Sequence, residues 1–446
     1  MPTVSLSDFI DQRPLSRLQI RIIVLCTIVT LLDGFDAQSI GYVAPALTKA
    51  LGVQRSALGP IFGAGMAGMM VGALLFGPIA DRIGRKTALV ICAAIFGAFS
   101  LMTATMTDVT GFIAMRFLTG LGLGGATPVA VTLTSEYCPR RLKATLVIIM
   151  YCGFSVGSAI GGYAAAELIR HFTWQYVFYV GTLPLVLVPL LWIALPESVQ
   201  FYLARRPNSP RIGEIMEKLA PSSGAASMTF KLESDGSRGL PVIELFREGR
   251  TALTLLVWAM FFLNLVDLFF LFNWLPTVMN DRGIAADQAA QISALMQVGG
   301  TLGAILFGRV VDKTANFGLL SFTLLGGAIT IAALGPTNVS LSVTAITVFL
   351  VGFFVVGSQT ANNAIVALAY PTSIRGTGVS WAIGIGRVGA IVGPLLGGFL
   401  LALHWPTTTL FMIGAIPALI ASLCALFFSR IMRNRPTQEV GAVQHA

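Results

Sequence analysis

Two aspartates lie three positions apart inside a long apolar stretch near the start of the chain. They are Asp33 and Asp36, in a stretch that covers residues 18–46. Side chains three positions apart share one face of a helix, and two carboxyl groups held close in a medium of low dielectric cannot easily both be ionised. One of the two should therefore hold a proton readily. The spacing predicts Asp33 and Asp36 as proton carriers, with a structural ion pair to a buried cation as the alternative for either one.

Two arginines lie inside other apolar stretches. Arg116 and Arg387 each interrupt a run of membrane-spanning length, where a charge costs roughly 2.5–3.5 kcal/mol on insertion scales. A guanidinium group is a fixed charge whose planar fork matches a carboxylate. Arg116 is therefore predicted to exchange an aspartate partner for a carboxylate substrate, or else to form a permanent ion pair. Arg387 is predicted either to hold the substrate carboxylate or to tether its helix to a neighbour.

A further carboxyl group and several neutral side chains complete the candidate site. Asp267 is a candidate second titrating site, either paired with Arg387 or alone. A pocket for a small organic molecule needs apolar and aromatic walls and a few hydrogen-bonding groups. Candidates of these types are Asn273, Trp274, Gln359, Asn362, Asn363 and Trp381. Adjacent helical residues point about 100° apart, so the two neighbouring asparagines cannot both face one pocket, and the tryptophans can instead be anchors at the membrane surface.

The elements that position these residues are long apolar helices. Hydrophobic residues make up 55% of the 446-residue chain and charged residues only 11%, whereas soluble domains carry about 25% charged residues. Roughly 20 helical residues cross a bilayer, and helices satisfy their own backbone hydrogen bonds in lipid. Twelve spans are predicted, at residues 18–46, 57–79, 87–106, 109–133, 142–166, 174–195, 249–279, 287–310, 316–335, 339–367, 376–403 and 408–432.

The distribution of positive charge predicts the orientation of the spans. Of the 29 Lys and Arg residues, only Lys49, Arg55, Arg170 and Arg282 fall in the odd-numbered connections. Cytoplasmic connections carry the excess of such residues, so both termini of this multi-pass membrane protein are predicted to be cytoplasmic. Topology then explains the net charge of +9, and no nucleic-acid partner is expected.

The sequence repeats itself on the two sides of a polar stretch. We predict an N-terminal six-helix half at residues 1–196, a cytoplasmic linker at 197–248 and a C-terminal six-helix half at 249–446. Phe76–Asp81 (FGPIAD) recurs 231 positions later as Phe307–Asp312 (FGRVVD). Six is an even number, so the halves insert in one orientation. The predicted fold is an all-α membrane protein with twelve transmembrane helices in two parallel six-helix repeats around a central cavity.

Glycines continue the repeat. Gly157 corresponds to Gly389, and Gly161 corresponds to Gly393, both at an offset of 232 positions. Small residues at every fourth position of a membrane helix allow close contact between helices. These glycines are therefore predicted to be packing positions.

Several segments resemble the major facilitator superfamily and, more narrowly, its aromatic acid:proton symporter family. The superfamily resemblance lies in Gly77–Lys86 (GPIADRIGRK) and Pro196–Ser198 (PES). The narrower resemblance lies in Leu32–Asp36 (LDGFD), Arg116–Gly122 (RFLTGLG), Asn273–Pro276 (NWLP), Arg375–Trp381 (RGTGVSW) and Gly384–Arg387 (GIGR). The resemblance covers essentially the whole chain and implies a proton-coupled transporter of an aromatic acid. Asp267 departs from the family pattern, in which we expect an uncharged residue.

Charged residues at the predicted cytoplasmic ends are candidates for a gate. Asp81 can bond a neighbouring helix N-terminus or an arginine, and breaking this contact would be part of opening inward. The predicted gate residues are Asp81, Arg82, Arg85, Lys86, Glu136 and Asp312. The same charges can serve topology alone, because basic connections stay inside the cell.

The remaining motifs do not indicate an enzyme. The chain contains no G-x-x-x-x-G-K-[ST] loop for ATP, and its three histidines form no ligand pattern, so no catalytic residue, metal or cofactor is predicted. The predicted function is a monomeric symporter that imports an aromatic carboxylate such as a hydroxybenzoate, with the proton gradient as its energy source. The alternatives are a symporter for another organic anion such as an unsaturated dicarboxylate, a proton-driven drug antiporter, and a non-transporting membrane receptor.

Overall fold

The chain is built almost wholly from helices. The computed structural model describes residues 3–221, 223–224, 228–231, 242–314, 317–336, 340–371, 374–403 and 405–433. The first half holds strand β1 (Thr3–Ser5) and helices α1 (Leu6–Asp11), α2 (Arg17–Leu51), α3 (Leu58–Ile83), α4 (Arg85–Thr103), α5 (Val109–Tyr137), α6 (Lys143–His171), α7 (Gln175–Val180) and α8 (Leu183–Ala194). Next come α9 (Val199–Arg205), α10 (Pro210–Leu219) and strand β2 (Thr229–Lys231). The second half holds α11 (Thr251–Asp281), α12 (Ala286–Thr314), α13 (Gly318–Ala333), α14 (Leu341–Val351), α15 (Gly357–Ala369), α16 (Arg375–Ala402) and α17 (Thr407–Arg433).

Eleven segments of the described residues are long and apolar enough to cross a membrane. α7 and α8 together form one of them, and α14 continues into α15 through a π-helical turn, Gly352–Val356. The remaining predicted span, at residues 316–335, coincides with α13. Its 16 residues extend only about 24 Å at 1.5 Å per residue. The predicted all-α membrane fold is confirmed, and its ninth span is shorter than expected.

The internal repeat of the sequence reappears in helix packing. Gly157 of α6 lies against Leu31 of α2, where a Cβ on the glycine would overlap the carbonyl oxygen of Leu31. In the second half, Gly389 of α16 lies in the same way against Phe262 of α11. The members of the second pair follow their counterparts by 232 and 231 positions. The sequence offset is therefore also the offset between equivalent backbone contacts.

A second pair of helices repeats its contact in the same manner. Gly68 of α3 meets the carbonyl oxygen of Phe117 in α5, and Gly299 of α12 meets that of Phe349 in α14. The offsets are again 231 and 232 positions. A side chain at either glycine would push the helices apart, because the neighbouring backbone occupies its space.

Packing divides the chain into two compact units that differ from the two halves of the sequence. Unit 1 comprises Met1–Ser39, Ala64–Gly161 and Phe172–Gly236, and unit 2 comprises Ile40–Gly63, Gly162–His171 and Ser237–Ala446. Within unit 2, Arg55 forms an ion pair with Asp281, and Gly59 lies against Gly398. These contacts join the connection between α2 and α3, and the start of α3, to helices of the second half. The domain boundaries at residues 196 and 248 stay a prediction.

The segment predicted as a linker contains ordered elements that belong to unit 1. β1 and β2 pair in parallel, with Thr3 opposite Thr229. Phe9 of α1 meets Phe230 edge to face, with 5.2 Å between the ring centroids. α10 buries one apolar face, formed by Ile212, Ile215, Met216 and Leu219. The N-terminal segment and the start of the linker are thus folded together.

Candidate functional site

Asp36 of α2 is fully buried and is held by two polar side chains from neighbouring helices. Arg116 Nη1 of α5 donates to Asp36 Oδ2 at 3.1 Å, and its Nη2 donates to the backbone oxygen of Asp36 at 3.3 Å. Ser100 Oγ of α4 donates to Asp36 Oδ1 at 2.8 Å. Both carboxylate oxygens therefore accept a hydrogen bond. Loss of either charge would leave the other buried without its counter-ion, which costs several kcal/mol.

Residues at the junction of α7 and α8 lie against the pair formed by Arg116 and Asp36. Arg116 Cζ lies 5.9 Å from the centroid of the Phe178 ring, which is a cation–π distance. A Cβ at Gly181 would overlap Ser100 Oγ and would lie 2.8 Å from Asp36 Oδ1. Position 181 is therefore restricted to glycine by the site itself.

Asp33 has a different neighbour on α5. It is buried like Asp36, and Thr127 Oγ1 donates a hydrogen bond to its Oδ2. Thr127 and Arg116 are eleven positions apart, or about 16 Å along the helix axis. The two aspartates of α2 thus differ in environment, because a hydroxyl group contacts Asp33 and a guanidinium group contacts Asp36.

The sequence pointed to the charges but not to the neutral groups that hold them. Ser100, Thr127 and Gly181 were not among the predicted site residues. Serine, threonine and glycine are frequent in membrane helices, where they serve packing, so their presence alone carries no signal. Only the three-dimensional contact with an aspartate distinguishes these three residues.

Asp267 and Arg387, the two charged candidates of the second half, are not paired with each other among the described residues. Asp267 of α11 is buried, and neither of its carboxylate oxygens has a hydrogen-bond partner among the described residues. Arg387 of α16 is partly exposed. Neither residue forms an ion pair within the described part of the chain. The pairing considered for them from the sequence is absent there.

The polar residue one turn before Asp267 connects α11 to the tenth span. Asn264 Nδ2 donates to Ser358 Oγ of α15 at 2.7 Å, and Ser358 Oγ donates to the carbonyl oxygen of Val355 at 2.8 Å. Val355 belongs to the π-helical turn. Such turns inside α-helices occur frequently at functional sites.

The predicted amides of α15 differ in burial. Asn362 is fully buried, and neither its oxygen nor its nitrogen has a partner in the described structure. The adjacent Asn363 is exposed. Gln359 is half-buried, and its Oε1 has no partner among the same residues. Asn362 is thus the amide with the largest unmet hydrogen-bonding capacity.

The other predicted pocket residues already have partners within unit 2. Asn273 Nδ2 donates to a carbonyl oxygen of its own helix at 2.7 Å. Trp274 is buried, and its Nε1 donates to the carbonyl oxygen of Pro394 at 2.9 Å. Trp381 is 44% exposed and stacks on Trp258 with 5.8 Å between ring centroids.

One end of unit 1 carries a chain of charged contacts. Arg85 Nη2 lies 2.9 Å from Asp81 Oδ1, and Arg85 Nε lies 3.2 Å from Glu136 Oε1. Ser198 Oγ donates a hydrogen bond to Glu136 Oε2. Arg82 is exposed. We call this end the basic end and define it as residues 11–21, 81–87, 136–141 and 192–218.

Glu197 links two motifs of the basic end. Its Oε1 accepts a hydrogen bond from the backbone N–H of Lys86 at 2.9 Å, in the first turn of α4. A carboxylate satisfies free N–H groups at a helix N-terminus and interacts favourably with the helix dipole. Of the predicted gate residues, Asp81, Arg82, Arg85, Lys86 and Glu136 belong to this end. The side chain of Asp312 lies outside the described residues.

Comparison with known proteins agrees with this architecture. The model of the Major Facilitator Superfamily matches residues 26–357 and, in a second match, 257–444. The 4-hydroxybenzoate transporter PcaK of Pseudomonas aeruginosa is 40% identical, over 96% of this chain and 96% of that protein. The gallate transporter of Pseudomonas putida is 39% identical, over 95% of this chain and 94% of that protein.

A solved structure shares the fold. The inward open conformation of the xylose transporter XylE from E. coli matches with a TM-score of 0.74 at 19% identity, covering 95% of this chain and 99% of that chain. The resemblance found from the motifs is confirmed by the family match and by relatives that are named as transporters. The chain belongs to the Major Facilitator Superfamily, in the group that contains these aromatic-acid transporters.

Proposed function

We propose that the protein is a proton-coupled symporter that imports an aromatic carboxylate of the hydroxybenzoate class across a bacterial inner membrane. The observation that carries the proposal is the buried pair of Arg116 and Asp36, with Ser100 on the second carboxylate oxygen. The substrate class is supported by the relatives named for 4-hydroxybenzoate and gallate, which are both aromatic carboxylates.

Coupling follows from the charge balance of this pair. Without substrate, the Arg116 cation faces the Asp36 anion, and the buried pair is neutral. When a carboxylate substrate takes the guanidinium group, Asp36 loses its counter-ion and a proton neutralises it. The site then holds a cation, an anion and a neutral acid, so its net charge is again zero. A substrate without a proton, or a proton without a substrate, would leave a buried net charge, which is expensive.

Ser100 is suited to both states of Asp36. A hydroxyl group donates to a carboxylate and accepts from a protonated carboxyl group. The 2.8 Å contact can therefore persist while the proton and substrate exchange. Gly181 lies against both Ser100 of α4 and the carboxyl group of Asp36, and a side chain at position 181 would overlap them. We assign both residues a positioning role.

Asp33 and Asp267 are the other proposed proton sites. Asp33 lies one turn from Asp36 and accepts a hydrogen bond from Thr127. Asp267 is buried, and both of its carboxylate oxygens lack partners among the described residues. Proton coupling is thus proposed to involve Asp36 with Arg116, with Asp33 as the other candidate proton carrier on α2 and Asp267 as a second titrating group.

Unit 2 carries candidate substrate-binding residues of its own. Asn362 offers a buried amide without a described partner, which suits a ring hydroxyl group. Arg387 is a cation without an ion pair among the described residues, which suits either the carboxylate or a second anionic group. The remaining proposed contacts are Asn273, Trp274, Gln359, Asn363 and Trp381.

The contacts of the basic end support a cytoplasmic gate. Arg85 bridges Asp81 and Glu136 within unit 1, and the surplus of arginine and lysine at this end supports a cytoplasmic location with both termini inside. We propose that Arg85 exchanges these partners during opening, with Arg82 and Lys86 in the same gate. A monomer is sufficient for this scheme.

An alternative is a symporter for another organic anion, such as an unsaturated dicarboxylate, because the buried guanidinium group of Arg116 suits any organic anion. A drug antiporter fits less well, since a buried guanidinium group disfavours a cationic drug. The two substrate classes are separated by competition. An aromatic carboxylate should block uptake of labelled 4-hydroxybenzoate, and a dicarboxylate should not.

The test is uptake of radiolabelled 4-hydroxybenzoate into proteoliposomes with an imposed inward proton gradient. We expect accumulation above equilibrium that collapses when a protonophore is added. Asp36→Asn should abolish accumulation while leaving exchange of labelled for unlabelled substrate. Glu167→Gln is the matched control, because it removes the same charge at an exposed position. Accumulation that a protonophore does not affect would exclude proton coupling, and normal accumulation by Asp36→Asn would exclude Asp36.

A further inference from the structure

A cleft of about 640 Å³ opens at the basic end of unit 1. Its walls come from the start of α2, the connection between α3 and α4, the end of α8, and helices α9 and α10. The lining includes six cations, Arg21, Arg82, Lys86, Arg206, Arg211 and Lys218, but only two carboxylates, Glu197 and Glu214. None of these residues belongs to the buried pair of the proposed transport site.

Much of this positive charge is unmatched. The side chains of Arg21, Arg82, Arg206 and Lys218 form no ion pair or hydrogen bond within the described part of the chain. Glu197 is engaged with the first turn of α4. The cleft therefore presents an excess of cations over carboxylates among the described residues.

α10 contributes charged residues to the cleft and is amphipathic. The apolar face of the helix is buried in unit 1. Arg211, Glu214 and Lys218 lie on the opposite, exposed side and line the cleft. Arg211 Nη1 also donates to Tyr202 Oη at 3.2 Å. The cations of α10 are thus carried by a packed helix.

One wall of the cleft is apolar and faces outward. Ile193, next to the end of the membrane span formed by α7 and α8, is 83% exposed. Trp192 beside it is 53% exposed, and Lys86 Nζ lies 5.0 Å from its ring centroid. Tryptophan prefers the boundary between membrane and water. The cleft therefore combines a basic interior with an apolar wall at the end of a membrane span.

We propose that this cleft binds the headgroup of an anionic phospholipid. The phosphate contacts Arg21, Arg206 and Lys218, and the first acyl segments lie along Trp192 and Ile193. Guanidinium and ammonium groups are the usual partners of phosphate, and basic pockets beside membrane helices bind anionic headgroups. A soluble phosphate would use the cations but would leave the apolar wall uncovered.

Native mass spectrometry of the detergent-purified full chain tests the proposal. Wild-type protein is incubated with phosphatidylglycerol or with phosphatidylcholine, and the lipid adducts are counted. We expect phosphatidylglycerol to be retained preferentially. The triple substitution Arg21→Gln, Arg206→Gln and Lys218→Gln should weaken this retention by about tenfold or more, since each cation near an anionic lipid contributes severalfold to affinity. Equal retention of the two lipids would reject an anionic site.

A control variant separates the effect of losing cations from the cleft from the effect of losing positive charge elsewhere on the protein. The triple substitution Arg205→Gln, Arg430→Gln and Arg433→Gln removes the same charge from exposed positions outside the cleft lining. It should keep wild-type retention, and an equal loss in both triple variants would overturn the site. Glu214→Gln removes a carboxylate from the cleft and should increase retention. Glu214→Gln tests the cleft even if the variant at Arg21, Arg206 and Lys218 fails to fold. Unchanged or reduced lipid retention by Glu214→Gln would contradict binding of an anionic lipid in the cleft.

Competition identifies the source of the phosphate. Glycerol phosphate at millimolar concentration should not displace phosphatidylglycerol, because it lacks the acyl segments that cover Trp192 and Ile193. Full displacement would mean that the cleft binds a soluble phosphate compound and would overturn the lipid assignment.

Discussion

The carboxylate of Glu197 occupies the space that a side chain at position 84 would need. Gly84 has a φ of 105° and joins α3 to α4, and a Cβ on it would overlap Glu197 Oε2. The glycine of the GPIADRIGRK segment and the glutamate of the PES motif therefore depend on each other, although 113 positions separate them in the sequence. This contact ties the end of the sixth span to the start of the third.

Gly84→Ala is expected to destabilise unit 1 by about 1–3 kcal/mol, because alanine is strained at positive φ and its methyl group displaces the glutamate. Thermal unfolding in detergent measures the effect. Gly77→Ala is the matched control, since a Cβ at Gly77 meets no atom within 4 Å. Equal melting temperatures for the two variants would contradict the proposed dependence.

Glu197→Gln is expected to lower stability by about 0.5–1 kcal/mol. Glutamine keeps an acceptor for the N–H of Lys86 but loses the charge that interacts with the helix dipole. The loss should shrink at high salt if the dipole contributes. Glu214→Gln removes a charge nearby without touching α4 and should not lower the melting temperature.

Arg116→Lys is expected to weaken substrate affinity by about tenfold, because an ammonium group cannot reproduce the two-pronged contact of guanidinium with a carboxylate. The apparent affinity is measured by substrate-dependent exchange in proteoliposomes, which does not require a proton gradient. Arg170→Lys, at an exposed position, is the control. Unchanged affinity in Arg116→Lys would remove Arg116 from the substrate contacts.

Gly181→Ala is expected to abolish proton-driven accumulation while leaving the protein folded. The methyl group would separate Ser100 from Asp36 and shift the partner of Arg116. Gly384→Ala serves as its control, because a Cβ at Gly384 meets no atom within 4 Å. Wild-type accumulation by Gly181→Ala would show that this contact is not needed for coupling.

Asp267→Asn is expected to change the charge moved per substrate. One proton with one monovalent anion moves no net charge, whereas a second proton makes uptake electrogenic. If Asp267 carries that second proton, an inside-negative potential should stimulate uptake by the wild type and not by Asp267→Asn. Uptake driven by a pH gradient should persist in the variant. Equal stimulation of both proteins by the potential would exclude Asp267 as the second site.

The sequence established the membrane class, the spans and the repeat. Long apolar runs require helices wherever lipid surrounds the backbone, so this inference needs no tertiary information. The repeat could be read from short matches at one offset because equivalent helices make equivalent contacts, as Gly157 with Leu31 and Gly389 with Phe262 show. Asp36 and Arg116 could be singled out because a charge inside an apolar span is energetically costly and therefore indicates a functional site.

Only the tertiary structure decided which groups meet. It gave Asp36 the guanidinium of Arg116 and gave Asp33 a hydroxyl group, although both aspartates lie on one helix. It joined Ser100, Gly181 and Glu197 to residues far away in the chain, and left Asp267 without a described partner. Hydropathy is a local property of the chain, whereas the partner of a buried polar group depends on how several helices rotate and pack against each other. The sequence therefore determined which membrane spans carry charged residues, and packing determined which groups those residues contact.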